Sequence, residues 1–404
     1  METTSTTPAR EALAHEMQSA RALTDDLFGL IRTKALYARP IPERHRLIFY
    51  LGHLEAFDWN QICRNALGLP SFHPAFDHLF EFGIDPEVGK AAVDQPSDWP
   101  SSVEVRRYNQ RARRVISERL ADAPEQTVHV AIEHRLMHAE TLAYLLHNLP
   151  YADKIAPAAS APRSGPRPET PFLEIPSGQA ALGRVQDNGF GWDNEFEVHT
   201  KHTPAFRIAK YKVTNGEYLD FVRGGALAPH FWAERKGEWF VRGMFREIPL
   251  PLDWPVYVTQ EQASAYAAWR GKRLMTEAEF HRAAGDGLYP WGDAPPTRSR
   301  GNFDFHEWDP VPVDSTPAGD SQYGVSQLAG NGWEWTSTRF EPFPGFRPFP
   351  FYPGYSANFF DGRHYVAKGG SPRTAARLLR KSFRNWFRPN YPYIYATFRL
   401  VESC

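Results

Sequence analysis

Apolar residues in the first third of the chain recur every three to four positions. Leu13, Met17, Ala20, Leu23, Leu27 and Leu30 do so across residues 9–31. Leu47, Phe49, Tyr50, Leu54, Phe57 and Ile62 do so across 43–66. This is the period of a helix with one buried face. A third helix is predicted over 101–122 and a fourth over 127–149, a stretch without Gly or Pro. Four helices joined by short and long links predict a bundle, and the proline-bearing link over 69–100 is too long to be idle. Beyond residue 171 the pattern changes. Short runs at 172–175, 196–199, 206–211, 365–368 and 396–401 read as strands between turns and Gly-, Pro- and Trp-bearing connections. Helices are predicted at 214–222, where Thr214 and Glu217 have capping-box spacing, and at 259–271. The expected organisation is a four-helix bundle over 1–155, a Pro/Ala-rich linker over 156–171 and an α+β domain over 172–404.

Composition narrows the function classes. With 404 residues and a formal charge of −1, the chain has no basic footprint for nucleic acid or anionic membrane, so a small-molecule partner is expected. Two cysteines, Cys63 and Cys404, make no disulfide framework. Residues 1–16 lack an apolar signal core, and no run approaches the ~20 residues of a membrane span. The expected location is cytoplasmic. Aromatics make up 14% of the chain, 12 of them Trp, and concentrate in the second half.

His134 and His138 are four apart on the fourth helix, on one stripe with Ala131, Leu142 and Leu145. A buried imidazole without a partner is costly, so both rings should be bonded either within the core or to a metal. The pair alone leaves both readings open. His53 stands mid-helix directly after Gly52. Glycine there lowers helix stability by roughly 1 kcal/mol, which points to close packing or to access for a bound ion.

Larger motifs follow in order: Ala263, Tyr266 and Trp269; Gly271-Lys272-Arg273-Leu274-Met275-Thr276-Glu277; Tyr289-Pro290-Trp291-Gly292; Gly330-Asn331-Gly332-Trp333-Glu334-Trp335; Lys368-Gly369-Gly370-Ser371; and Phe398-Arg399. Together they resemble the formylglycine-generating, sulfatase-modifying fold, related to C-type lectins. Formylglycine generators act through cysteines in this domain, where Cys404 stands alone here, so that chemistry is not expected. The first half is similar to DinB-type bundles. The combination resembles the EgtB-type ergothioneine-pathway sulfoxide synthases, including their selenoneine synthase (SenA) branch.

That resemblance implies a metal held by His53, His134 and His138, with Glu140 of the His-x-x-x-His-x-Glu motif beside it. Imidazole ligands suit iron, copper and zinc alike, so Fe(II) comes from the resemblance and not from the ligand type. It implies O2-dependent C–S or C–Se bond formation at the imidazole C2 of hercynine (N-α-trimethylhistidine), with a thiol or selenol donor. Within Ser382-Phe383-Arg384-Asn385-Trp386, Asn385 and Trp386 would meet hercynine, and an aromatic face is worth ~0.5–2 kcal/mol to a trimethylammonium group. Members using γ-glutamylcysteine carry an acidic residue and an arginine where this chain has Phe387 and Tyr391. These two substrate-binding positions therefore imply a smaller donor such as cysteine, or alternatively a selenosugar. Tyr352 is the candidate catalytic tyrosine, since the bundle offers Phe80 and Phe82 in place of one. A metal-dependent DinB-type thiol transferase and a non-catalytic binding module are the competing classes. Trp333 and Trp335 are expected in the core, and the arginines of the third helix on a solvated face.

Overall fold

Helices α1 (Thr7–Gly29), α2 (Leu47–Asp58), α3 (Pro74–Leu79), α4 (Ser102–Arg119) and α5 (Glu125–Asn148) make up the first part of the chain. The computed structural model describes residues 7–81, 93–158, 161–186 and 189–404. Phe82 lies outside these residues. The chain divides into two units, Met1–Ala159 and Ser160–Cys404. In the first, α1 packs on α5, and α2 packs on both α4 and α5. All twelve residues of α2 are buried, as a helix apolar all round requires. It does not continue as one regular helix to Ala66: past Asp58 the chain opens into a wider turn, Trp59–Ala66, closed by the Leu67 N–H donating to the Ile62 carbonyl at 3.1 Å. Capping also sets boundaries. The Ser101 hydroxyl accepts from the Glu104 N–H while the Glu104 carboxylate accepts from the Ser101 N–H, which starts α4.

The described part of the long link is moored to the bundle. Asp77 of α3 accepts from the Tyr108 hydroxyl at 2.8 Å and from the Trp59 indole at 3.2 Å. Asp94 accepts from Trp99 at 2.8 Å and pairs with Arg46 and Arg39. A charge network ties the four long helices together. Arg135 of α5 is fully buried and pairs with Glu55 at 3.0 Å and Asp58 at 2.6 Å, both on α2. It also donates to Thr24 Oγ1 of α1 at 3.3 Å. Arg113 of α4 donates to Glu55 at 2.7 Å and to Asp25 of α1 at 2.6 Å. Burial raises the Glu55 carboxyl, but Arg135 and Arg113 outweigh it and hold the group at about 2. Arg113 is thus an internal tie and not part of a solvated face.

The second unit holds β1 (Phe172–Ile175), β2 (Gly178–Leu182), β3 (His199–Thr203), β4 (Phe206–Ala209), α6 (Asn215–Arg223), β5 (Trp232–Arg235), β6 (Glu238–Arg242) and β7 (Glu247–Pro249). It continues with α7 (Gln260–Trp269), β8 (Arg273–Leu274), α8 (Glu277–Ala284), β9 (Trp333–Arg339), β10 (Tyr365–Lys368), β11 (Asn385–Phe387), β12 (Ala396–Thr397) and β13 (Leu400–Ser403). One sheet has the order β1-β4-β13-β8 and another β11-β10-β9-β12. Capping boxes at Thr214, Thr259 and Thr276 start its three helices. Ile175, Phe206, Ile208, Phe280, Leu328 and Val401 form a core cluster. The run expected at 196–199 is displaced, with β3 beginning at His199 after a turn at Asp193–Glu195.

The run expected over 396–401 divides between the two sheets. Ala396 and Thr397 pair in parallel with β9, whereas Val401 pairs antiparallel with β4 and β8. At the break, Arg399 turns inward and donates to Glu334 at 3.0 and 2.8 Å. Lys212 donates to the same carboxylate at 2.9 Å, and all three side chains are fully buried. Trp333 and Trp335 flank Glu334 in the core. Among the described residues no helix is long and apolar enough to cross a membrane.

Candidate functional site

Helix spacing brings three imidazoles together. His53 comes from the middle of α2, His134 and His138 from successive turns of α5, and one ligand atom from each lies within 4.8 Å of the others. Three nitrogens ~2.1 Å from one ion that keeps other positions open lie ~3.0–3.4 Å apart, so a bound ion would draw the rings together by up to ~1.8 Å. Ring centroids are 5.2 Å apart for His53–His134, 4.9 Å for His53–His138 and 4.5 Å for His134–His138.

The rings are held by packing. His134 lies flat on Phe57 at 3.5 Å, and His53 stacks on Phe49 at 4.9 Å. Nδ1 of His53 is 2.9 Å from the Phe80 carbonyl, which can only accept. His53 therefore carries its proton on Nδ1 and presents an Nε2 lone pair, as a metal-ligating histidine with an outer carbonyl partner does. Gly52 explains how that carbonyl arrives. A Cβ there would lie 2.6 Å from the Phe80 ring, so the glycine makes room for the residue that orients its neighbour. Close packing is the reason for Gly52, and it serves the histidine.

His138 Nδ1 has no hydrogen-bond partner among the described residues although it is shielded from water. Burial first, and neighbouring imidazoles second, push His134 and His138 well below the ordinary value of 6.5. Neutral imidazoles with lone pairs at pH 7 are what a cation needs. Three nitrogens leave positions on an ion open for other ligands, and the donor set fits a divalent transition metal. Glu140 is buried but is not among the convergent groups. His73 caps α3 and His78 pairs with Glu81, so neither displaces a member of the triad.

The depressed histidines give a pH prediction for the metal-free chain. Below about 6.5 the unfolded state binds protons that the folded state refuses, so stability falls as pH falls through that value. The slope is up to ~1.4 kcal/mol per pH unit for each ring. Urea unfolding at pH 7.5 and 5.5 measures it, and His134→Leu should reduce it by one ring's share.

The second unit collects the other sequence-predicted residues. Asn385, Trp386 and Phe387 form β11 against β10. The preceding loop is anchored by buried acids: Ser382 and Arg380 bond Glu195 at 2.6 and 2.5 Å, and Arg384 bonds Glu277 at 2.9 Å. Ser382 and Arg384 are thus held in the scaffold of the segment that carries Trp386. The half-buried Trp386 ring lies 4.2 Å from Phe340 and parallel to it, with Tyr355 at 5.4 Å and Phe359 at 5.5 Å around it. The Asn385 side-chain oxygen accepts the Trp386 N–H at 3.0 Å. Phe387 and Tyr391 are parallel at 5.9 Å. Tyr352 is 5.7 Å from Tyr355 and 6.5 Å from Trp192, one ring removed from Trp386.

The Phe80 carbonyl, Arg135, Phe340 and Tyr355 were not singled out from sequence, where Phe80 entered only as a position lacking a tyrosine. Arg135 carried a legible signal, a charge between two histidines on an inward stripe. The Phe80 carbonyl carried none, because any residue has one.

Residues 158–404 match the family model for the sulfatase-modifying factor enzyme 1-like domain. A hercynine oxygenase of Mycolicibacterium smegmatis is 31% identical, with 97% of this chain aligned to 99% of that protein. One of Mycobacterium tuberculosis is 35% identical over 74% of this chain and 78% of its own. Ergothioneine biosynthesis protein 1 of Schizosaccharomyces pombe is 28% identical over 93% of this chain. The chain spans about half of the fungal protein's length, 54%.

Proposed function

The chain belongs to the hercynine oxygenase family, built on a sulfatase-modifying factor enzyme 1-like domain, and from that premise we propose that it catalyses O2-dependent C–S or C–Se bond formation on hercynine. The convergence of His53, His134 and His138 is the observation that carries this reading. Fe(II) is the ion the family points to, and its chemistry when bound is to let donor, acceptor and O2 react at one centre. The overall change balances as thiol plus imidazole C–H plus O2 giving sulfoxide plus water.

The remaining work belongs to the chain. The triad offers neutral nitrogens from two helices and leaves part of an ion open. Trp386, held flat on Phe340, offers an aromatic face to the trimethylammonium of hercynine, and Asn385 a side-chain amide to its carboxylate. Tyr352 is the proposed proton donor. Phe387 and Tyr391 stack on each other and present neither the acid nor the arginine that a γ-glutamyl group requires. The donor is accordingly cysteine or a similar small thiol, with a selenosugar as the second reading.

The test is O2 uptake with mass spectrometry of products, on the Fe(II)-loaded full chain with hercynine and each of cysteine, γ-glutamylcysteine and a selenosugar. A hercynine adduct of cysteine or of the selenium donor is expected, and which one forms decides between the two readings. Preferential use of γ-glutamylcysteine would overturn the donor assignment. Metal-dependent thiol transfer without O2 consumption would overturn the reaction class. Trp386→Ala should raise the hercynine KM ~2- to 30-fold at unchanged metal content, the range expected for a cation–π contact.

A further inference from the structure

The charge network under the triad does more than join helices. Arg135 directly follows His134, and successive residues on a helix point ~100° apart. While His134 faces His53, Arg135 faces the neighbouring side of α2, where Glu55 and Asp58 stand three residues apart on a shared face. Its guanidinium is fully buried, 3.0 Å from Glu55 and 2.6 Å from Asp58, and it donates to the Leu54 carbonyl at 3.0 Å. Leu54 is the residue after His53, so Arg135 grips the backbone and both acids of the turns that carry that ligand.

A slip of one residue between α2 and α5 moves a helix ~1.5 Å along its axis and turns its side chains by ~100°. Apolar packing tolerates such shifts far better than a forked cation set between two carboxylates does. We infer that Arg135 is a positioning residue for the metal centre: through Glu55, Asp58 and the Leu54 carbonyl it sets the register of α2 against α5, and so the distance from His53 to His134 and His138. This rests on the metal reading of the triad.

The experiment titrates the metal-free full chain with Co(II), whose visible absorption reports ligand number and geometry, and measures the melting temperature without metal. The variant Glu55→Gln, Asp58→Asn, Arg135→Met removes the three charges together, which proteins tolerate better than loss of one partner. The expected result is a Co(II) Kd ~10- to 100-fold higher, the usual cost of losing an outer partner of a ligand, with an altered absorption band and a melting temperature near that of the parent. Parent-like affinity and spectrum in the folded variant would overturn the inference, since a purely stabilising network moves the melting temperature alone. If the triple variant does not fold, Asp58→Asn decides: it keeps the shape at the 2.6 Å contact and drops the charge. Measured below its own melting temperature, weaker Co(II) binding with an altered absorption band supports the inference, and parent-like binding with a parent-like band rejects it. A parent chain that binds no Co(II), or a His138→Ala chain that binds it undiminished, defeats the metal reading itself and this inference with it.

Discussion

His138→Ala is expected to leave a folded chain that loses its metal on desalting and turns over at least ~10²-fold more slowly. Even outer partners of metal ligands cost 10- to 100-fold, so loss of a ligand itself should exceed that. Folding should survive because the ring is only half-buried and its Nδ1 makes no bond to a described residue. Truncation removes an orphaned polar group along with its packing against Tyr50, 5.8 Å away. Metal content by mass spectrometry and O2 uptake check the result. Parent-like iron content with normal turnover would mean that the three histidines meet for packing and that the reaction uses another centre.

Glu334→Ala carries the largest expected stability effect. The carboxylate bonds both Lys212 and Arg399 with no access to water, and burial already lowers the Lys212 ammonium to about 8. Without Glu334, two cations remain buried against carbonyls alone. Breaking a buried pair from one side costs about 3–5 kcal/mol. In a unit of this size that is a fall of roughly 6–20 °C in the melting temperature. Calorimetry should show the loss in the transition of the second unit. A shift of a degree or less would mean that the cations find other partners.

Much of the fold follows from local rules. The helices of the first unit follow the 3.6-residue period, and Thr214 with Glu217, like Thr259 with Gln262, starts a helix by capping chemistry that any reader of the sequence can find. Long-range pairing was not legible. The run over 396–401 has the alternation of one strand, yet Arg399 draws the chain toward Glu334 and splits it between two sheets. The wide turn after Asp58 also escaped pattern reading. It keeps the apolar stripe while changing the hydrogen-bond period, and the stripe is what the pattern records.

The sequence by itself determined which residues are candidates to act. Two histidines four apart must share a helix face, and a Gly-His pair on an apolar helix requires an unusual neighbour. A second half with Cys404 as its one cysteine argues against the paired-cysteine chemistry of formylglycine generators. Only the tertiary structure decided how those residues are held. The Phe80 carbonyl orients His53, Arg135 joins the helices that bear the three histidines, and Phe340 lies flat beneath Trp386. The reason is physical: helix period and capping act over four residues, whereas a hydrogen bond to a backbone carbonyl or a stacked ring depends on where distant segments arrive.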